Sequence, residues 1–323
     1  MEFFTHIAIN PFAEKIDHCA KIFSIGSCFA QNMAERLKCA KFHTTSSPTG
    51  ILFNPESIAA SIERMVSGRG IAEEELHHAN GHWFSYDFHS SFSAADKQQA
   101  LNAMQSALSK GAEALKQADT IIITFGTAWV YRLGESGTVV ANCHKQPQSL
   151  FQRTMLSAED IATRWSELMN TALKGKRVIF TVSPIRHLGD GLEQNSLSKA
   201  TLRVAIAEII GRTENASYFP SFEIMNDELR DYRFYAEDMV HPSPLAIDYI
   251  WQRFSQVAFS AETLELIKRL EKISRAASHR PFDSQSESHK LFCRKQLGEI
   301  EDILRHYPTL DFSEEKESFV AHL

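Results

Sequence analysis

Apolar residues in this chain come in short continuous runs, each stopped by glycine or a small polar residue and followed by helical spacing. Ile22 to Ile25 is the first run; Gly26 breaks it, and Ala30, Met33, Ala34 and Leu37 then share one helical face at i, i+3, i+4 and i+7. Lys41 to Thr45 is a candidate second strand. Asn54-Pro55-Glu56 reads as an N-cap with proline at the first helical position, and Ile58, Ile62 and Met65 supply the stripe of that helix. Ala94 to Gln117 is a long helix, and Thr120 to Phe125 a β-branched strand ending in Gly126-Thr127. Val130 to Leu133 and Thr138 to Ala141 predict a hairpin. Ser157 to Leu173 is a helix capped by Ser157, and Arg177 to Val182 is another buried strand. Asn195 is the expected N-cap of a helix running to Gly211. Ser217 to Pro220 is a short aromatic strand, Phe222 to Leu229 a helical turn or two, and Ile247, Ile250, Trp251, Phe254 and Val257 mark a helix behind Pro242 and Pro244.

Continuous rather than alternating apolar strands, each followed by a helix, predict a parallel sheet covered on both faces. The fold class is therefore α/β: a three-layer α/β/α sandwich with a parallel central sheet. Past Ala261 the texture changes. Leu266, Ile267, Leu270 and Ile273 mark one amphipathic helix, and Cys293, Leu297, Ile300 and Leu304 another, across the polar linker Ser278 to Ser288. This gives a domain over residues 1–260 and a helical hairpin over 261–323, which could cover the sheet, pair with a second copy or overhang the site. Residues 1 to 20, with Pro11 near their centre, read as an arm; 66 to 92 resist assignment to regular structure.

Composition narrows the function. The chain has 323 residues, 43% apolar and 23% charged, with a formal net charge of −6. That is an ordinary globular balance with no electrostatic footprint for nucleic acid or an anionic membrane. No run reaches the length of a transmembrane helix, and Glu2 with no basic region argues against a signal peptide. The five cysteines, Cys19, Cys28, Cys39, Cys143 and Cys293, form neither a disulfide framework nor a zinc spacing. The expected home is the cytoplasm. His77, His78, His82 and His89 crowd one stretch at spacings that do not match paired metal ligands, so neither a metal nor another cofactor is expected.

The chemistry-bearing stretch is Lys21 to Ala30. Strand, glycine, Ser27-Cys28 and helix place two potential nucleophiles at a helix N-terminus, on the sheet edge where open α/β folds bind ligands. Gly126-Thr127 closes a later strand in the same way and falls on the same edge. Asp238 and His241 are three apart in a proline-braced loop, so one carboxylate can orient one imidazole. A nucleophile, a base with its carboxylate and a set of oxyanion donors are the requirements of acyl transfer.

Gly26-Ser27-Cys28-Phe29-Ala30 resembles the motif that gives the GSCFA family its name. The likeness continues through Pro48 to Pro55, Asn142 to Lys145, Ser183 to His187 and Asp238 to Pro242, over roughly residues 1 to 255. The order of blocks is also similar to that of the SGNH (GDSL-type) hydrolases. That resemblance implies their fold and an acyl-ester hydrolase or acyltransferase. Laid on the SGNH pattern, Cys28 rather than Ser27 takes the nucleophile position, with Asp238 and His241 as its pair. Gly50 matches a glycine oxyanion donor, and Gly126-Thr127-Ala128-Trp129 lacks the usual oxyanion asparagine, for which Asn142 is a substitute. His89 and His144 are candidates to line the substrate site, and Arg186, His187 and Lys199 to bind an anionic group of the substrate. The expected substrate is a small-molecule or glycan acyl ester, with no nucleic-acid or membrane partner and homo-oligomers possible through the C-terminal helices. Two other classes stay open: a catalytically inactive binding module on this fold, and a metal-dependent hydrolase using the histidine-rich stretch.

Overall fold

A computed structural model describes residues 5–279, 281–283 and 286–323. The first four residues of the expected arm, and Arg280, Ser284 and Gln285 of the expected linker, lie outside the described residues.

Five strands form the main sheet: β1 (Lys21–Gly26), β2 (His43–Ser46), β5 (Thr120–Phe125), β9 (Arg177–Val182) and β10 (Ala216–Tyr218), in the order β10-β9-β5-β1-β2. β1 pairs parallel with β5, β5 with β9 and β9 with β10, Gly26 standing opposite Thr124. The order of strands reverses between β1 and β5. In a doubly wound sheet that reversal opens a crevice at the carboxyl ends of the two strands. The Gly26 and Gly126 turns leave the sheet there.

Alternate strand residues point to opposite faces. Phe23, Ile25, Ile121, Ile123, Phe125, Val178 and Phe180 join one large core with α2 (Pro55–Ser67), α3 (Lys97–Gln117), α4 (Ala158–Asn170) and α5 (Leu192–Arg212). Ile22, Ile122 and Ile179, between them, are buried too, so both faces are covered and the fold is the three-layer α/β/α sandwich expected. Trp165 of α4 is wholly buried, its ring centroid 5.0 Å from Phe125 and 5.5 Å from Phe180. Asn54 caps α2 as its sequence dictates, accepting from Ser57 N at 2.8 Å.

Five smaller strands decorate this sandwich. β3 (His77–Ala79) and β4 (His82–Phe84) make a hairpin in the stretch that resisted assignment. The expected hairpin is β6 (Trp129–Leu133) with β7 (Val139–Val140), and a further strand, β8 (Phe151–Met155), pairs with β6 on its other side. α5 starts at Leu192 rather than after Asn195. Gly191, at φ 79°, takes the N-cap position, and Asn195 turns inward to accept from His187 N at 3.0 Å. The turn expected from Phe222 is the short α6 (Ser221–Glu223) running into a π-helical turn, Ile224–Glu228.

The chain divides into two compact units. Residues 5–10, 21–34 and 44–254 make the first, and 11–20, 35–43 and the described residues from 255 to 323 the second. α1 (Cys28–Cys39) contributes to both, as does α7 (Pro244–Ala258). In the second unit the two expected helices, α8 (Ala261–Ser278) and α9 (Glu287–His306), are joined by a third, α10 (Ser313–Val320), around Leu270, Ile273, Cys293, Ile300, Ile303 and Phe319. Phe42 stacks between His18 at 4.2 Å and Phe259 at 4.9 Å. Arg269 bridges Glu299 and Asp302, each at 2.7 Å.

Candidate active site

Gly26 is the pivot of the first turn. At φ 140° it occupies a conformation that side chains avoid, and a Cβ there would sit 2.2 Å from Thr124 O. The chain thereby turns hard against β5, with Ser27 N donating to Thr124 O at 3.2 Å, and α1 begins at once with Cys28. Ser27 is 1% exposed and its hydroxyl is without a partner among the described residues; Cys28 is half-buried. Burial pushes the Cys28 thiol up, its own N–H opposing that shift. In the first turn of α1 the N–H groups of Cys28 and Phe29 donate to no backbone carbonyl among the described residues. These are the orphan donors that any helix start presents.

The segment from Ser47 to Phe53 laces the strand ends together. Ser47 N donates to Ser24 O at 2.8 Å and Leu52 N to Gly26 O at 2.9 Å. Phe53 O accepts from both Gly126 N (2.7 Å) and Thr127 N (2.9 Å). A Cβ on Gly126 would lie 3.3 Å from Ser27 Cβ, so the two glycine turns meet at the sheet crevice. Gly50 is held at φ 88° with its N–H on Ser47 O at 2.8 Å, and His89 is pressed against it, Cβ 2.2 Å from where a Gly50 side chain would begin.

Beneath Gly126 lies a buried lysine. Lys199 is 1% exposed, and its Nζ donates to Gly126 O at 2.6 Å and Ser183 O at 2.8 Å. No carboxylate pairs with it among the described residues, and burial lowers its pKa to about 7. A neutral amine has two N–H donors, enough for both carbonyls. One residue earlier on α5, Ser198 Oγ accepts from Ala128 N at 2.7 Å and lies 3.0 Å from Thr127 Oγ1. His187 stands over the same turn, edge-on to Phe53 at 5.8 Å, with a buried Nε2 that lacks a partner. Burial first, then the charges of Lys199 and His241, press its pKa to about 4, against a hydrogen bond with the Gly126 backbone that raises it. His187 is thus neutral at physiological pH.

The Asp238–His241 turn completes the group. Asp238 Oδ1 accepts from Val240 N (2.9 Å) and His241 N (3.0 Å), while Oδ2 lies 2.6 Å from His241 Nδ1. Those backbone donors and then the imidazole hold the carboxyl at about 2. Met239, at φ 56°, makes the tight reversal between them. With Nδ1 on the carboxylate, His241 Nε2 has no partner among the described residues.

Asn142 and His144 belong to a different arrangement. Asn142 Oδ1 accepts from His144 N at 2.8 Å. His144 Nε2 reaches Ser85 O at 2.8 Å and Phe88 O at 3.1 Å, Nδ1 lies 3.5 Å from Ser93 Oγ, and the ring stacks on Phe84 at 4.3 Å. Both ring nitrogens are engaged in fastening the 85–93 loop, and burial lowers the His144 pKa. His89 caps the short turn Ser90–Phe92 through Nδ1. Among the described residues no three His, Cys, Asp or Glu side chains are placed to hold a metal ion. His77 and His78 instead lie against Tyr86 and Trp83.

Residues 21–254 match the GSCFA family, and residues 270–323 match the C-terminal domain of GSCFA domain proteins. The chain belongs to the GSCFA family. No curated protein matches it. The GSCFA match begins at β1 and ends within α7, so it contains every residue of the site above.

Within this GSCFA domain, then, Ser27, Cys28, Gly126, Thr127, His187 and Lys199 converge on one strand-end crevice. His241 lies within electrostatic range of His187, and Arg186 beside it grips the Met239 and Val240 carbonyls (3.4 and 3.3 Å). Gly50 and His89 flank the crevice along the 47–53 lace, and Asn142 with His144 fastens the neighbouring loop. Sequence reasoning missed Asn195 and Ser198. Their signal was present: Asn195, Ser198, Lys199, Leu202, Ala205, Ile206 and Ile209 form one buried stripe, polar where α5 passes under the site and apolar beyond it.

Proposed function

We propose that this GSCFA protein is an acyl-ester hydrolase or acyltransferase with Cys28 as its nucleophile. The observation that carries the reading is the Asp238–His241 pair: a carboxylate holds Nδ1 and leaves Nε2 free to take a proton. Cys28 is preferred to Ser27 because Ser27 is 1% exposed and Cys28 is the more accessible of the two.

Burial raises the Cys28 thiol, so the resting group is the protonated thiol and no preformed thiolate is required. In the proposed reaction His241 Nε2 takes the thiol proton as Sγ attacks the acyl carbonyl. The N–H groups of Cys28 and Phe29 receive the oxyanion. Gly50, Gly126 and Thr127 already donate their N–H groups to Ser47 O and Phe53 O, so they serve by shaping the crevice. The C–O bond then breaks, the leaving alcohol takes the proton from His241, and a Cys28 thioester remains. Water or a second alcohol, deprotonated by His241, attacks that thioester and regenerates the thiol. Hydrolysis or transfer follows from which acceptor arrives. Five free cysteines accord with a reducing, cytoplasmic setting.

The inactive binding-module reading keeps one observation in its favour, the raised Cys28 thiol with no base bonded to it. Trapping separates the two. Incubation with an activated aryl ester, followed by peptide mass spectrometry, is expected to place a hydroxylamine-labile acyl group on Cys28, with turnover falling at least about a thousandfold in Cys28→Ala. An acyl group on another residue overturns the nucleophile assignment; ligand binding with no acyl-enzyme favours the binding module.

A further inference from the structure

Arg186 does more than hold the His241 turn. It lines a cavity of about 150 Å³ bounded also by Asn226, Leu229, Arg230, Tyr232 and Tyr235. Its guanidinium lies 3.9 Å from the Tyr235 ring centroid and 5.1 Å from that of Tyr232, so two aromatic faces fix its plane. A guanidinium has five N–H donors. Met239 O takes one at 3.4 Å. Neither Arg186 nor Arg230 has a carboxylate partner among the described residues. Asp231, the one acidic group on the wall, is turned to its own loop: Oδ1 accepts from Arg233 N at 2.9 Å and Oδ2 lies 3.8 Å from Arg233 Nε. The floor is the π-helical turn Ile224–Glu228, a wide turn often found at functional sites, and Asn226 on it gives its Nδ2 to Phe222 O at 2.7 Å. A small cavity with two uncompensated arginines, one of them planar and pre-set by aromatic packing, fits a compact oxyanion, because a guanidinium fork matches carboxylate or phosphate geometry.

We propose that this cavity seats an oxyanionic group, carboxylate or phosphate, carried by the substrate, with Arg186 and Arg230 as its ligands. The assignment rests on the acyl-transfer reading for the word substrate, but anion binding does not need turnover. Arg186 joins cavity and base physically, since it also holds the two carbonyls that precede His241. An acyl ester with an anion at one end would be anchored beside the imidazole and its ester presented to the crevice.

The test is calorimetric titration of full-length Cys28→Ala protein with phenyl phosphate, monomethyl succinate and, as neutral control, benzyl alcohol. Both anions are expected to bind and the neutral probe not to, with affinity weakening about tenfold or more in Arg230→Gln and in Arg186→Gln, as loss of a charge-assisted contact implies. Binding should also weaken with added salt. Preference for one anion identifies the source of the group. Arg230 is exposed, so Arg230→Gln remains informative if Arg186→Gln unfolds. Equal binding of the neutral probe, or anion binding unchanged in Arg230→Gln, overturns the proposal. Anion binding that persists in a chain never acylated by any ester would leave the cavity assigned and defeat only the acyl-transfer reading.

Discussion

Two loops of the first unit each hold a histidine in a tight reversal, yet they have opposite chemistry. In Asn142–Lys145, His144 and Lys145 both have positive φ; in the Asp238–His241 turn it is Met239. Each begins with a side-chain oxygen, Asn142 Oδ1 or Asp238 Oδ1, accepting backbone N–H groups ahead. The difference is what the imidazole meets. His144 donates from Nε2 to two backbone carbonyls and is kept neutral by burial, so protonating it would require a second donor where Ser93 Oγ now lies. His241 meets a carboxylate through Nδ1, is half-exposed, and keeps Nε2 free. An imidazole bonded to carbonyls is a fastener, whereas one bonded to a carboxylate with a free nitrogen can cycle a proton. Loop geometry and residue type alone do not separate the two; the partner does.

The sharpest way to break this contrast is to remove each ring in turn. His241→Ala is expected to lower ester turnover about a hundred- to ten-thousandfold, the range for loss of a general base, and to leave the melting temperature near its parent value. His144→Ala should do the reverse, keeping most of the turnover per folded molecule while costing about 1–3 kcal/mol in a urea titration, because Ser85 O and Phe88 O lose their donor. Inverted results would exchange the roles of the two loops. Removing the carboxylate alone is a smaller change: Asp238→Asn should cost turnover but less than His241→Ala, because the ring loses the acceptor that holds Nδ1. Unchanged turnover would mean that Asp238 positions the backbone only.

Titration sharpens the contrast further. Because His144 has a lowered pKa in the fold, the unfolded chain takes up a proton that the folded loop resists. Stability from this site is full above the unfolded histidine value, about 6.5, and declines as pH falls below it. His144→Gln should flatten that decline in melting temperature measured from pH 7.5 to 5. The buried Lys199 gives the most local effect. Lys199 titrates near 7 in the fold and near 10.5 when unfolded, so the unfolded state binds more protons throughout that window and stability rises with pH across it. Lys199→Met should lose that rise and lift the His187 pKa, seen by NMR, since a positive neighbour is gone. A rise retained in the variant would assign it to other groups.

How much of this was readable beforehand follows from which atoms carry the information. β1, β5 and β9 announce themselves because a strand buried on both faces reads as a nearly continuous apolar run, broken only by small hydroxyl residues such as Ser24, Thr124 and Thr181. The Asp238–His241 pair is readable because its two side chains lie three apart just ahead of two prolines. The β3–β4 hairpin was missed although Asn80-Gly81 marks it; both residues sit at positive φ, 53° and 76°, as a two-residue hairpin turn requires. The surrounding histidines and aromatics obscured it, because alternation over three-residue strands is too short to register. β8 was missed because Phe-Gln-Arg-Thr-Met pairs on one side only and keeps polar side chains. The commitment of the Gly50, Gly126 and Thr127 amides could not be read at all. Backbone donors leave no trace in residue identity, so a glycine that presents its N–H and one that has given it to Ser47 O or Phe53 O look alike in sequence.

The 47–53 lace also sets a rule about length. Its hydrogen bonds at Ser47, Leu52 and Phe53 are measured against three fixed points on β1 and the Gly126 turn, in the manner of a ruler. Apart from Gly50, whose Cβ would meet His89, and the buried Thr49 and Leu52, side chains along it can vary, since the grip is made by backbone atoms. One inserted or deleted residue between Thr49 and Phe53 would shift the Phe53 carbonyl by a residue's length and uncouple Gly126 from Ser27. By contrast, nothing lies within 4 Å of a Cβ on Gly137 in the Gly134–Gly137 turn, so added bulk there meets no neighbour. Descent within this family should therefore tolerate spelling changes in the lace and reject changes of frame.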